Sequence, residues 1–387
     1  MALLASVIIA GLAGILGKAN TSVSQMPQKP TIALVTKAEF RTDTTYSKWS
    51  DPSGVLKTHD ARRQVMLNNP LSENESDPMQ LVGLQGNEVI GTILVIPGRL
   101  LVEGQEHRFC WGSNFYVSPA GRASMIALKL VKEFQNLCET VGICGVSQSG
   151  YPIYTKFGWT DFQMPRHILL RRSRSVLEQK LGGKTAGRAL APAVDLALLA
   201  YNAWVLRSGN DISAQVTETV PDEVAERVAC DSDTFLPRSS AVLRWQTSGG
   251  IEASPRDRNL FLTVRAKNDV AGYALIKMRF LKVASAHGFK DVLLGSLQDW
   301  RVFHPALITY RDVVVSACRE LTARGVDAVE VCGSNREEEG YLKAMRLPRI
   351  GEVHLMWRAA PGTALDDPRF RDRERWMIRV GDDDAFM

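Results

Sequence analysis

The sequence contains an internal repeat that predicts how the chain folds. Residues 81–98, LVGLQGNEVIGTILVIPG, and residues 261–278, FLTVRAKNDVAGYALIKM, each place two apolar runs around a short polar turn. Such a pattern is typical of a β-hairpin. Asn87-Glu88-Val89 aligns with Asn268-Asp269-Val270 at an offset of 181 residues. Two hairpins of one pattern, so far apart in the chain, predict two copies of one structural unit.

The segments after each hairpin repeat as well. A helical pattern of apolar residues follows Pro119 in the first copy and Pro305 in the second, and proline suits a first helical turn. Each copy then has a glycine-containing β-like run, followed by a segment that begins with a tyrosine and ends in a last strand. In the first copy these segments are 141–148 and 154–171, and in the second copy they are 324–334 and 341–358. Alternating strands and helices predict an α/β fold, here an α+β mixed sheet with helices packed against it.

The repeat predicts how the chain is divided. We expect an apolar N-terminal segment and linker, a first domain, a linker with a connecting helix, a second domain and a C-terminal tail, over residues 1–30, 31–176, 177–234, 235–360 and 361–387. Residues 189–207 are apolar enough to predict a helix buried between the two halves, whereas the charged tail is expected to pack loosely.

Composition excludes several classes of function. The formal net charge of +5 is mild for 387 residues, so we expect no nucleic-acid partner. The six cysteines have no CxxC spacing, and no His, Cys and carboxylate cluster has the spacing of metal ligands. We therefore expect buried reduced thiols rather than disulfides, and no metal.

The N-terminus leaves several alternatives open. The first 17 residues, MALLASVIIAGLAGILG, are uncharged and mainly apolar. This length is at the lower limit for a membrane span, and no Lys or Arg precedes it as in a signal peptide. A membrane anchor, a cleaved signal and a packed helix all stay open. We expect a cytoplasmic protein, with membrane association through residues 1–17 as the alternative.

A turn in the first copy has the composition of an anion site. In FYVSPAGRASMIALKLVKEF (115–134), a strand leads into a helical pattern through a short turn. Amide groups and the helix dipole at such a point favour phosphate. Gly121 lets a ligand approach the main chain and Ala123 is small enough to do the same. Arg122 and Ser124 add a positive charge and a hydroxyl.

The order of elements in the first copy resembles the GNAT superfamily of acyl-CoA-dependent N-acyltransferases. The matching segments are GNEVIGTILV for the hairpin, FYVSPAGRAS for the strand and pyrophosphate loop, and YPIYTKFGW for the tyrosine segment. The family loop, Gln/Arg-x-x-Gly-x-Gly/Ala, is matched by Gly121 and Ala123, but Ser118 stands in place of Gln or Arg.

The second copy resembles the family less closely. Its hairpin, helix and last strands match over 235–360, whereas its loop has Asp299 and Trp300 and no glycine. A carboxylate and bulky side chains are unsuited to a diphosphate. We therefore expect two tandem GNAT-like domains, the second degenerate, as in two-copy bacterial acyltransferases.

The resemblance implies a co-substrate and a set of roles. Acetyl-CoA or another acyl-CoA would bind the first copy, and Tyr154 would protonate the departing thiolate. The family's main-chain and loop contacts fall on Tyr116, Val117, Gly121, Arg122, Ala123 and Ser124. Ser147 and Gln148 are candidates for lining the pantetheine arm.

The general base is not identified by the sequence. The candidates are Glu88, Glu103, Glu106, His107 and Asp161. Four arginines in RHILLRRSRS (166–175) are either solvated strand residues or a surface for an acidic substrate, an acyl carrier protein or a membrane.

The implied function is acyl-CoA-dependent N-acetyl or N-acyl transfer. The thioester would be attacked directly by a small-molecule amine acceptor bound between the two copies. Two alternatives stay open: a GNAT-fold binding or assembly protein without turnover, and a Fem-type aminoacyl transferase that uses aminoacyl-tRNA.

Overall fold

The computed structural model describes residues 29–42, 48–49, 57–181, 184–207, 212–229, 236–249, 256–282 and 290–379. The apolar segment 1–17 and Cys230 lie outside the described residues. Within the described part of the chain, no helix is both long enough and apolar enough to cross a membrane.

Strands and helices alternate along the chain. The strands are β1 (Thr31–Thr36), β2 (Lys48–Trp49), β3 (Pro78–Gln85), β4 (Glu88–Val102), β5 (Gln105–Val117), β6 (Thr140–Cys144), β7 (Thr160–Leu170), β8 (Ile212–Thr217), β9 (Arg258–Ala266), β10 (Asp269–Leu281), β11 (Val292–Val302), β12 (Ala328–Cys332) and β13 (Arg349–Ala359). The helices are α1 (Lys37–Thr42), α2 (Asp60–Leu67), α3 (Ile126–Gln135), α4 (Tyr151–Lys156), α5 (Arg174–Lys180), α6 (Lys184–Val205), α7 (Asp222–Ala229), α8 (Ser240–Ser248), α9 (Tyr310–Ala323) and α10 (Arg336–Ala344).

All described strands belong to one mixed sheet. Its order is β1-β3-β4-β5-β6-β13-β7-β12-β11-β10-β9-β8, with β2 beside β4. The predicted hairpins are β3–β4 and β9–β10, and Lys267 and Asn268 turn the second with positive φ. The prediction of a mixed α/β sheet is confirmed.

The two halves have the same internal pairing. In the first half β5 and β6 pair in parallel from Phe109–Thr140 to Gly112–Ile143. In the second half β11 and β12 pair in parallel from Leu294–Ala328 to Ser296–Glu330. Each half also has a register shift in the antiparallel pair that precedes this parallel one, at Thr92/Leu94 and at Leu275/Ile276.

The halves exchange their last strands. β13, from the end of the second half, lies between β6 and β7, while β7, from the first half, pairs with β12. The two predicted segments 31–176 and 235–360 therefore share one sheet, and each places its final strand against the other. This arrangement brings residues of the second segment to any site built on β6.

The connecting helix is not buried, contrary to the prediction. α6 buries Gly187, Ala191, Asn202 and Val205, whereas its other side is exposed. The sequence indicated an apolar helix correctly, but hydropathy does not tell which apolar side chains find a partner.

The C-terminal tail is also different from the prediction, because it is packed. Leu365, Phe370, Trp376 and Ile378 are at most 3% exposed and join the core of the first half. Large apolar side chains, rather than the surrounding charges, determine where this segment lies.

The expectation of reduced thiols is wrong for one pair. Cys110 on β5 and Cys138 after α3 form a disulfide, with their Cα atoms 6.2 Å apart. Cys318 and Cys332 are buried thiols, and burial raises the pKa of each to about 12.

Candidate active site

A cavity opens where β5 and β6 stop pairing. Their parallel ladder ends at Gly112 and Ile143, but β5 continues to Val117. The gap is a cavity of about 270 Å³, lined by Gly112–Phe115, Ile143–Ser147, Gly150 and Tyr154. Ile143 belongs to the core on one face of the sheet, whereas Cys144 packs against the core on the other.

A β-bulge shapes the β5 wall of this cavity. The pairing with β4 passes from Thr92–Tyr116 to Leu94–Ser113, so two residues of β5 face one residue of β4. Asn114, one of the two, has a φ of 49°. Bulged residues leave the ladder and turn their backbone groups away from it. The bulge therefore supplies polar main-chain groups at the cavity wall.

Tyr154 extends into this site from α4. Its side chain is 0% exposed, and its ring packs edge-on against Phe115 and Trp159, with centroids 6.0 and 4.9 Å away. The hydroxyl has no hydrogen-bond partner among the described residues. Burial raises the pKa of Tyr154, so the hydroxyl keeps its proton well into the alkaline range.

The predicted loop residues lie beside the cavity rather than in its wall. Tyr116 and Val117 follow the lining residues directly and pair with Thr92 and Gly91 of β4. Arg122 and Ala123 are exposed in the turn before α3. Their role as acyl-CoA contacts stays a prediction.

The turn itself is closed by its own hydrogen bonds. The Ser118 side chain accepts a hydrogen bond from the Gly121 amide at 3.3 Å, and the Ser124 hydroxyl donates to the Gly121 carbonyl at 2.7 Å. A Cβ on Gly121 would lie 2.7 Å from the Ile90 carbonyl oxygen. Gly121 is therefore required for packing against β4, whether or not a ligand binds.

α3 begins only at Ile126, after a 3₁₀ turn, and not at Pro119 as predicted.

The equivalent region of the second half is filled. Asp299 and Trp300 lie within β11 rather than in a loop. Trp300 donates to Glu338 at 2.9 Å, and Arg379 from the tail lies over its ring at 4.3 Å and pairs with Glu338 at 3.1 Å. Asp299 pairs with buried Arg238 at 2.8 Å. This buried network fills the region of the second half that corresponds to the predicted loop.

The strand exchange brings His354 of β13 next to the cavity lining, where it contacts Asp161 and Tyr151. The backbone carbonyl of His354 on β13 accepts a hydrogen bond from Gly145, a lining residue, at 3.0 Å. The His354 Nδ1 is 2.9 Å from the Asp161 carboxylate on β7. Tyr151, at the start of α4, donates to the same carboxylate at 3.2 Å, and its ring packs against His354.

The other candidate bases lie elsewhere. Glu103, Glu106 and His107 are near the far turn of the β4–β5 hairpin, beside Arg369, Arg99 and Glu139 respectively. Glu88 is exposed at the start of β4. Asp161 is thus the sequence candidate that the structure brings near the cavity, together with His354. The sequence analysis missed His354, because 193 residues separate it from Asp161.

The four arginines between residues 166 and 174 contact acidic side chains or a backbone carbonyl of the protein itself. Arg166, Arg172 and Arg174 form ion pairs with Glu330, Asp327 and Glu178. Arg171 donates to the Thr322 carbonyl.

Ser147 lines the cavity, whereas Gln148 is exposed beside it.

Comparison with known proteins reveals a similar fold. No protein-family model matches the chain, and no curated protein sequence matches it. A structure of N-myristoyltransferase from Saccharomyces cerevisiae with bound myristoyl-CoA is similar over 92% of this chain and 87% of that one, with a TM-score of 0.55 and 13% identity. A GCN5-related N-acetyltransferase from Anabaena variabilis ATCC 29413 is similar over 86% of this chain and 73% of that one, with a TM-score of 0.50 and 10% identity. The predicted GNAT-like fold is confirmed.

Proposed function

We propose that this protein is an acyl-CoA-dependent N-acyltransferase whose thioester site is the cavity between β5 and β6. One observation carries the proposal: Tyr154 lines this cavity, and its buried hydroxyl has no hydrogen-bond partner among the described residues. A buried hydroxyl without a hydrogen bond costs about 1–3 kcal/mol, so a ligand that provides the missing partner gains from it. The two similar structures described above, an N-myristoyltransferase and a GCN5-related N-acetyltransferase, support the same assignment.

The residues of the cavity suit the reacting end of an acyl-CoA. The bulge at Asn114 and Phe115 provides main-chain groups for polarising a carbonyl, which is the largest electrostatic requirement of acyl transfer. The Tyr154 hydroxyl holds a proton where the thiolate would leave. Arg122 and Lys129, near the start of α3, are the cations closest in sequence to the predicted diphosphate loop.

His354 and Asp161 are assigned as the proton acceptor for the attacking amine. A carboxylate accepts only, so the Nδ1–H of His354 donates to Asp161 and Nε2 remains as the acceptor. Neither Tyr154 nor His354 needs a covalent acyl-enzyme for these roles. The acceptor would be a small amine.

Ligand titration tests the co-substrate. Acetyl-CoA, a long-chain acyl-CoA and free CoA are added while thermal unfolding and calorimetric heat are recorded. A ligand that binds the folded state at 100 times its Kd stabilises it by about 2.7 kcal/mol. The absence of any response at millimolar CoA species would contradict the proposal. Release of CoA thiol in the presence of a panel of primary amines then tests transfer itself.

A further inference from the structure

The outer side of α6 is an exposed apolar surface that runs the length of the helix. From Ala186 to Trp204, the exposed residues are all apolar except Arg188. The large ones are Leu190, Leu196, Leu199 and Trp204, which are 50%, 69%, 63% and 45% exposed, and alanines and Pro192 fill the rest. We call these residues the α6 outer face. At about 1.5 Å per residue it is roughly 28 Å long.

This outward orientation is fixed by the contacts on the other side of the helix. Asn202 donates to the Leu170 carbonyl at 3.0 Å, and Asp195 accepts from the Ser173 hydroxyl at 2.7 Å. Val205 belongs to the core of the second half. A rotation of α6 that hid the leucines would break all of these contacts. The outer face is therefore presented to the surroundings by the fold.

The chain segment that contains the outer face has an excess of positive charge. Residues 171–207 contain seven Lys or Arg and two acidic residues, a net charge of +5, equal to that of the whole chain. Part of this charge is paired within the protein, because Glu178 binds Arg174 and Arg188 and Asp327 binds Arg172, while Asp195 accepts from Ser173. Lys184 and Arg207 are exposed at the two ends of the helix.

We propose that the α6 outer face docks onto an anionic phospholipid surface, with the helix lying in the plane of the headgroups. A helix with leucine and tryptophan on one side and cations around it is the type that binds the membrane interface. Tryptophan favours the headgroup level, and each Lys or Arg near an anionic surface adds about 1 kcal/mol. The proposal is independent of the acyltransferase assignment.

Vesicle binding by the full-length chain tests the proposal. The protein is sedimented with vesicles of phosphatidylcholine alone and with vesicles of an equimolar phosphatidylcholine–phosphatidylserine mixture. We expect binding to the anionic vesicles, weakened by salt, with a blue shift of Trp fluorescence that is smaller in Trp204→Phe. The double variant Leu196→Ser/Leu199→Ser should bind at least tenfold more weakly, because each leucine loses its burial in lipid.

Matched variants separate this face from other causes of binding. Leu34→Ser removes a leucine that is 41% exposed on β1 and should bind vesicles as the wild type does. The double variant Lys184→Gln/Arg207→Gln should bind the anionic vesicles more weakly than the wild type does, with no change in its binding to the vesicles of phosphatidylcholine. Because residues 1–17 are also apolar, equal binding by the wild type and the double leucine variant would overturn the proposal. The proposal would also be overturned if the wild type were a dimer in the absence of lipid and the double leucine variant a monomer, since the face would then be a protein interface.

Discussion

Tyr154 is the residue at which stability and the proposed chemistry require different side chains. Its ring is well packed, but its hydroxyl is buried with no hydrogen-bond partner in the part of the chain that the structure describes. We expect Tyr154→Phe to leave the free protein as stable as the wild type, or more stable by about 1 kcal/mol, because it removes only the unsatisfied group. The same change should lower turnover about a hundredfold or more and leave acyl-CoA affinity within a few-fold.

Urea unfolding, calorimetric titration and thiol release measure the three quantities for Tyr154→Phe. Tyr341→Phe is the matched control, because Tyr341 is the corresponding residue of the second half. Unchanged turnover in Tyr154→Phe would remove its role as the proton donor.

His354 is the second residue with a specific expectation. His354→Gln keeps a polar side chain of similar reach but has no group that takes up a proton. We expect turnover to fall at least tenfold while acyl-CoA binding is kept, and Asp161→Asn to give a smaller loss through misorientation of the ring. Steady-state thiol release over a range of amine concentrations measures the effect. His107→Gln is the control, and equal losses in both variants would argue against the assignment.

The sequence could identify Tyr154 but not His354. A tyrosine ahead of Phe157-Gly158-Trp159 is a local pattern, and local patterns are visible in one sequence. His354 reaches the cavity because β13 is exchanged into the first half, and the pairing of strands so far apart depends on the packing of the complete sheet.

The start of α3 is the element at which the predicted phosphate site can be tested. Gly121→Glu is a poor probe, because any Cβ at this position meets the Ile90 carbonyl at 2.7 Å and destabilises the fold. Ala123 is exposed, so Ala123→Glu should fold normally and weaken acyl-CoA binding about tenfold by repelling the diphosphate. Ala120→Glu, exposed in the same turn, is the control.

Isothermal titration with CoA and with pantetheine distinguishes the causes for Ala123→Glu. Affinity for CoA should fall, whereas affinity for pantetheine, which lacks the diphosphate, should not. Equal affinity of both glutamate variants for CoA would place the diphosphate elsewhere.

Helix starts were the elements predicted least well. Proline fits a first helical turn, but it also fits a 3₁₀ turn, and Pro119 opens such a turn before α3. In the second half α9 begins at Tyr310 rather than near Pro305, because Thr309 and Asp312 form a capping box. Hairpins were predicted better, since their signal lies in adjacent residues.

On the scale of the whole molecule, buried ionisable groups predict an alkaline limit to stability. Burial raises the pKa of Cys318 to about 12, above the value of ~8.5 for an unfolded thiol. Its contribution to stability is intact below that unfolded value and is lost as the pH rises towards 12, because only the unfolded chain releases the proton. Between pH 9 and 11 the slope should be about 1.4 kcal/mol per pH unit for this group. In Cys318→Ala, the free energy of unfolding measured with urea should fall less steeply with pH, by that amount per pH unit. A slope equal to that of the wild type would contradict this contribution of Cys318.

The shared sheet and the packed tail predict that the two halves unfold together. Trp376 is 3% exposed in the core of the first half, and three residues later Arg379 binds Glu338 of the second. Trp376→Ala should cost about 3–5 kcal/mol, as for other buried tryptophans. Because β7 and β13 each pair across the halves, this loss should lower the midpoint of a single unfolding transition of the whole chain, rather than unfold the first half alone.

Met377→Ala, at a neighbouring position that is 37% exposed, should have little effect. Far-ultraviolet circular dichroism and tryptophan fluorescence should give one midpoint in each variant. Two separate transitions in Trp376→Ala would show that the exchanged strands do not couple the halves.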